Sequence, residues 1–157
     1  MKQIIFDILN QLNIAYMNYE HEAVFSCDDA KWVDIPGVRV KSLLLRNKKW
    51  NNYYMVVIPD YKQLDTNIVR AIFEDSKMSF ASPERMLEKI WLKPGSVSPF
   101  ALIHNTDKDI KLVIDADLRE KQVWFHPLQN DNTLVLNMME LESFLKYIGI
   151  FYIYHAL

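Results

Sequence analysis

The sequence predicts a single α+β domain with a mixed, largely antiparallel sheet flanked by helices. Three observations carry that expectation. A length of 157 residues suits one domain, which at this size buries roughly 70% of the surface its unfolded chain exposes. Half the residues are hydrophobic and 24% are charged, the profile of a folded chain rather than a disordered one. Helical and strand-like apolar patterns follow one another with no repeat, linker or low-complexity segment between them.

Ile4, Ile5, Ile8, Leu9 and Leu12 recur at helical spacing, so residues 2–12 read as an amphipathic helix. A short strand is expected around Tyr16, Met17 and Tyr19. Ser26-Cys27-Asp28-Asp29 has the spacing of a capping box and predicts a short helix after it. Pro36-Gly37 is a turn. Residues 38–46 and 53–58 then read as two strands, joined into a hairpin by the polar run 47–52. Asp65 can cap a helix over about 66–75 with Ile68, Ala71 and Ile72 as its apolar stripe. Ser82-Pro83 starts another, completed by Met86, Leu87 and Ile90. After the break at 93–99, strands are expected at 100–103, 110–115, 122–126 and 133–136. A closing helix over about 138–147 ends at Gly149. Residues 1–149 thus make the domain. The apolar tail 150–157 is either a last packed strand or a homodimer contact.

Several function classes are excluded. Three glycines, Gly37, Gly95 and Gly149, leave no Walker A loop or GxGxxG fingerprint. The single cysteine, Cys27, forms no internal disulfide or CxxC site and suits a reducing compartment. His21, His104, His126 and His155 lack the mutual spacing of a metal-ligand set. No stretch approaches 18 apolar residues and no signal-peptide pattern opens the chain, so a cytoplasmic location without membrane contact is expected. A net charge of −2 argues against a nucleic-acid coat, yet Arg39, Lys41, Arg46, Lys48 and Lys49 crowd into eleven positions.

Three places could carry chemistry. Strand alternation puts Lys41 on the face of Leu43 and Leu45, either reaching solvent at a strand end or partly desolvated in a pocket. The loop Pro94-Gly95-Ser96-Val97-Ser98-Pro99 is either a rigid connector or a turn whose amides receive an anion or a developing oxyanion. His126, between Phe125 and Pro127, begins a segment with Asn130 and Thr133 that either satisfies its own backbone or offers neutral donors and acceptors to a small polar ligand.

Taken in order, these segments resemble the YbaK/ProX (PrdX) family of aminoacyl-tRNA deacylases, relatives of the editing domain of bacterial prolyl-tRNA synthetase. Tyr19-Glu20-His21-Glu22-Ala23-Val24-Phe25-Ser26 is similar to that family's "EHPAVFT" signature, and Val40-Lys41-Ser42-Leu43-Leu44-Leu45 to its Lys-Asn-Leu-Phe-Leu strand. Phe80-Ala81-Ser82-Pro83-Glu84 is like its "FAS-x-E" helix start. Gly95 to Pro99 fits its Gly-x-x-x-Pro loop. Phe125-His126-Pro127 with Asn130 and Thr133 is similar to its closing segment. Ser42 and Leu44 depart from the usual asparagine and phenylalanine, and the likeness ends near Gly149.

The resemblance implies the editing-domain fold and a hydrolase that cleaves the ester of mischarged tRNA(Pro), alanyl-tRNA(Pro) first among the candidates. It implies Lys41 as the essential lysine, Gly95 and the amides of its loop at the ester carbonyl, and His126 shaping the amino-acid pocket. Ser96, Val97, Ser98, Pro99, Asn130 and Thr133 would line the substrate site. Arg39, Arg46, Lys48 and Lys49 would face the acceptor end of the tRNA. The attacking water would be assisted by a ribose hydroxyl of the substrate, and no cofactor, metal, DNA or membrane is implied. The alternative is a non-catalytic module of the same fold that binds charged tRNA or a small amino acid.

Overall fold

The structure is a computed structural model that describes residues 2–20, 35–93, 96–129 and 131–157. It contains helices α1 (Lys2–Gln11), α2 (Thr66–Phe73), α3 (Pro83–Ile90) and α4 (Met138–Ile148). Its strands are β1 (Met17–Glu20), β2 (Val40–Arg46), β3 (Tyr53–Pro59), β4 (Ser79–Phe80), β5 (Ile110–Asp115), β6 (Gln122–Phe125), β7 (Asn132–Asn137) and β8 (Tyr152–His155). The helix expected after Ser26 lies outside the described residues.

Two sheets form, one in the order β1-β7-β6 and one in the order β4-β2-β3-β5-β8. The pairs β1–β7, β6–β7, β2–β3 and β2–β4 are antiparallel, whereas β3–β5 and β5–β8 are parallel. The sheet is therefore mixed and largely antiparallel. β3 is covered on both faces and every one of its seven residues is buried, which is why Tyr-Tyr-Met-Val-Val-Ile-Pro shows no alternation.

The sheets are joined where the chain enters β2. Val38 makes a parallel bridge to Val123, its amide donating to the Gln122 carbonyl and its carbonyl accepting from the Trp124 amide. The Trp124 indole N–H donates to the Pro36 carbonyl at 2.7 Å. Gly37, at φ +102°, allows this crossing. A Cβ there would meet the Gln122 carbonyl at 3.3 Å, in a backbone region that side chains avoid.

The larger core lies between the sheets and takes Ile5 and Leu9 of α1, Met86 and Ile90 of α3, and Leu141, Phe144 and Leu145 of α4. A second cluster on the other face of the five-stranded sheet packs Leu45, Tyr54, Val56 and Ile58 against Val69 of α2. The caps read from sequence are formed. Asp65 accepts from the Asn67 amide, Ser82 from the Arg85 amide, and Gly149 ends α4 at φ +74°.

Three expectations are corrected. Residues 100–103 belong to a 3-10 helix, Pro99–His104, because Pro99 presets a helical φ and the Ala101 amide donates to the Ser98 carbonyl. Ala71 is exposed and Val69 is the buried residue of α2. Leu87 is 52% exposed, since Met86 and Ile90, one turn apart, already fill the core-facing stripe of α3.

Candidate active site

At the junction the residues that lead into β2 meet β6, which pairs with β7. The parallel bridge Val38–Val123 is isolated; counting forward from it along the two segments, Arg39 and Trp124 come first, Val40 and Phe125 second, and Lys41 and His126 third. Two contacts agree with this count. The Arg39 guanidinium sits 5.6 Å from the centre of the Trp124 ring, and Val40 and Phe125 share the larger core. Across β6–β7, Trp124 pairs with Val135 and Phe125 with Leu134, which sets His126 level with Thr133. Alternation puts Lys41 on the face of β2 opposite Val40, and puts His126 and Thr133 on the face of Trp124 and Val135, away from Phe125 and Leu134.

That face continues into a small apolar cluster of Ile35, Trp124 and Val135, with Tyr19 packed against it. The sequence reading missed this wall. Its signal was present: Trp124 and Val135 fall out of phase with the core residues on either side of them.

His126 is held at two points. Its Nδ1 lies 2.8 Å from the Asn132 carbonyl, which can only accept, so Nδ1 donates. Its own carbonyl accepts from the Ser98 hydroxyl at 2.7 Å, with Ser98 1% exposed. Ser98 thereby pins the loop that precedes it to the end of β6. Ser96 and Val97 are half-buried beside it and Pro99 is buried. Asn132, 1% exposed, also donates its side-chain amide to Asn18 Oδ1 at 2.6 Å, fixing β7 to β1. Leu128 turns the chain after His126 at φ +72°, an uncommon backbone state for a leucine. Gly95 and Asn130 lie outside the described residues.

Lys41 is half-buried, and its ammonium makes no hydrogen bond or ion pair with any described residue. Three other cations near the sheet are taken up by carboxylates. Arg39 is 2.8 Å from Asp60, Lys62 is 2.7 Å from both Asp115 and Asp117, and Lys89 is 2.6 Å from Asp109. Of the basic residues expected at an RNA surface, Arg46 lies over the Trp50 ring at 3.9 Å, and Lys48 and Lys49 are exposed at the tip of the β2–β3 hairpin. Among the described residues no group of three His, Cys, Asp or Glu side chains could hold a metal ion, and no helix is long and apolar enough to cross a membrane.

Comparison with known proteins adds the family. The model of the aminoacyl-tRNA editing domain matches residues 21–144. The chain belongs to the aminoacyl-tRNA editing domain family. The matched span of this editing domain contains Lys41, the loop at 96–99, His126 and Thr133, while β8 falls outside it. Over 148 residues the chain is 32% identical to the Prolyl-tRNA editing protein ProX of Acetoanaerobium sticklandii, covering 92% of this chain and 90% of that one. It is 28% identical to the Prolyl-tRNA synthetase associated domain-containing protein 1 of Xenopus laevis, covering 95% and 92%. Among solved structures, a candidate trans-editing enzyme for prolyl tRNA synthetase superposes with a TM-score of 0.71 at 21% identity, over 97% of this chain and 94% of that one. That last likeness speaks to the fold alone.

Proposed function

We propose that this editing domain is a trans-editing deacylase that hydrolyses the ester of mischarged tRNA(Pro), with alanyl-tRNA(Pro) as its substrate. The observation that carries the reading is the parallel bridge Val38–Val123, three residues before Lys41 on one segment and three before His126 on the other, beside the apolar cluster of Ile35, Trp124 and Val135. The Prolyl-tRNA editing protein ProX, 32% identical over most of both chains, supports an editing role for this chain.

Water adds to the ester carbonyl, the bond from that carbon to the ribose oxygen breaks, and the proton lost by the water passes to the departing ribose oxygen. The products are the free amino acid and the intact tRNA. Lys41 supplies a positive charge near the ribose and terminal phosphate, an electrostatic role that needs no proton transfer. Backbone amides of the Gly95–Pro99 loop receive the developing oxyanion. A ribose hydroxyl of the substrate assists the water, so no protein triad is required. His126, fixed through Asn132 and Ser98, and Thr133 border the space for the amino-acid side chain.

A pocket built for proline rejects alanine weakly, because missing methylenes are worth only about 1–3 kcal/mol. A second, smaller sieve that admits alanine and excludes proline corrects the error.

The test is release of labelled alanine from alanyl-tRNA(Pro), with prolyl-tRNA(Pro) and Lys41→Ala protein alongside. Release is expected for the alanyl ester and not for the prolyl ester, and Lys41→Ala lowers it at least a hundredfold. No release from alanyl, cysteinyl or seryl esters overturns the reading and leaves a binding module on the editing-domain fold.

A further inference from the structure

Arg46 and Arg85 converge on one side chain. Their guanidinium carbons lie 3.9 and 5.3 Å from the centre of the Trp50 ring. Two like charges are therefore gathered around a single indole, and neither is closely paired. Arg85's carboxylate neighbour is Glu88, 3.7 Å away and 63% exposed. Arg46 directs Nη1 to the Asn47 carbonyl at 3.3 Å, and among the described residues no carboxylate lies within ion-pair distance of it. By contrast, Arg39, Lys62 and Lys89 are each held by a carboxylate at 2.8 Å or less.

Arg85 is also the third residue of α3, close to the positive end of that helix, where the backbone dipole opposes a cation. Lys48 and Lys49 stand exposed on the adjoining hairpin tip. The indole positions the guanidiniums through their flat faces; Nε of Arg46 is buried without a partner among the described residues and Nη1 is engaged by Asn47, which leaves Nη2 of Arg46 and the N–H groups of Arg85 to donate to an anion. An anion of fork-matching geometry relieves both the mutual repulsion and the helix-end penalty.

We propose that Arg46, Trp50 and Arg85 form a clamp for a backbone phosphate of the RNA substrate, a contact additional to those at the ester. This rests on the deacylase reading for the identity of the partner. Arg46 ends β2 five residues after Lys41, about 17 Å along the strand, so the phosphate it holds belongs to a nucleotide well away from the ester. The contact is to the backbone and is indifferent to base sequence.

The experiment measures binding of a deacylated acceptor-stem minihelix to the full chain at salt concentrations from about 50 to 200 mM. Arg46→Gln and Arg85→Gln are compared with wild type and with Lys146→Gln, an exposed cation on α4. Each arginine variant is expected to weaken binding about five- to tenfold at the lowest salt. Each should also make the slope of log affinity against log salt shallower by about 0.7–0.9, the loss of one phosphate contact. Lys146→Gln should match wild type. Thermal melting checks that the variants fold, and Arg85→Gln alone suffices if Arg46→Gln does not.

Slopes unchanged in the arginine variants, an equal loss in Lys146→Gln, or no RNA binding by wild type overturns the clamp. Ester hydrolysis is followed on the same preparations. RNA binding that depends on Arg46 and Arg85 without hydrolysis by wild type would sink the deacylase and not the clamp. Hydrolysis with unaltered slopes would sink the clamp and not the deacylase.

Discussion

The hydroxyl of Ser98 donates to the His126 carbonyl from a position with 1% exposure, so its partner cannot be replaced by bulk water. In Ser98→Ala that carbonyl loses its buried donor, a change that costs about 1–3 kcal/mol. The variant is expected to unfold at lower denaturant and to deacylate alanyl-tRNA(Pro) about tenfold more slowly, because the loop and His126 are no longer tied together. Denaturant midpoints and initial rates on the same preparation check both. A wild-type rate would separate this bond from the chemistry. At this scale the sequence named Ser98 in the 94–99 loop and His126 and Thr133 in the segment that follows the strand at 122–126. That Ser98 reaches the backbone of a residue 28 positions away could not be read from spacing, since side-chain-to-backbone pairs of that separation leave no periodic trace.

The hairpin β2–β3 is anchored to α2 through one carboxylate. Asp75 accepts from the Tyr54 hydroxyl at 2.6 Å, from the Asn47 and Asn52 side-chain amides, and from the Ser76 backbone amide. Burial by itself would raise this carboxyl, and those four donors outweigh it, holding the group well below its ordinary 3.8. Burial first, and then the bond to Asp75, push the Tyr54 hydroxyl upward.

The sign follows from linkage. As pH falls below 3.8 the unfolded chain takes up the proton before the folded one, so stability contributed above that point drains away on acidification. Wild type should therefore lose stability between about pH 5 and pH 3 more steeply than Asp75→Asn. Denaturant midpoints across that range test it, and parallel curves would refute the anchoring role. Among the elements, strands and helices with caps were legible, down to Asp65, Ser82 and Gly149. Pro99–His104 was misread because a short apolar run has no period of its own, and its helical turn is set by Pro99 and Ser98.

On the scale of the whole molecule, β8 completes the larger sheet by lying parallel to β5, with Val113 opposite Ile153 and Ile114 opposite Tyr154. Val113 and Ile114 are fully buried, and Ile150 is 7% exposed. Ending the chain at Gly149 removes the strand that satisfies this edge, together with the side chains that cover both its faces. The loss is on the order of 3 kcal/mol or more, since each fully buried apolar side chain is worth about 1.5–3 kcal/mol. The truncated chain is expected to melt at much lower temperature or to aggregate. A melting profile equal to wild type would show that 150–157 contributes nothing to the fold.

The sequence by itself determined the α+β class, the order of the elements, most helix ends and the residues that carry the family resemblance. All of these are written in local terms: periodicity, caps, turns and short motifs. Tertiary structure decided the partition into two sheets, the parallel pairings of β5 and the junction at Val38. The junction sets Val38 against Val123, and packing elsewhere brings Arg85 to the ring that Arg46 covers. The reason is physical. Register between strands distant in the chain is set by packing of the faces they bury, and a sequence lists those faces without saying which will meet.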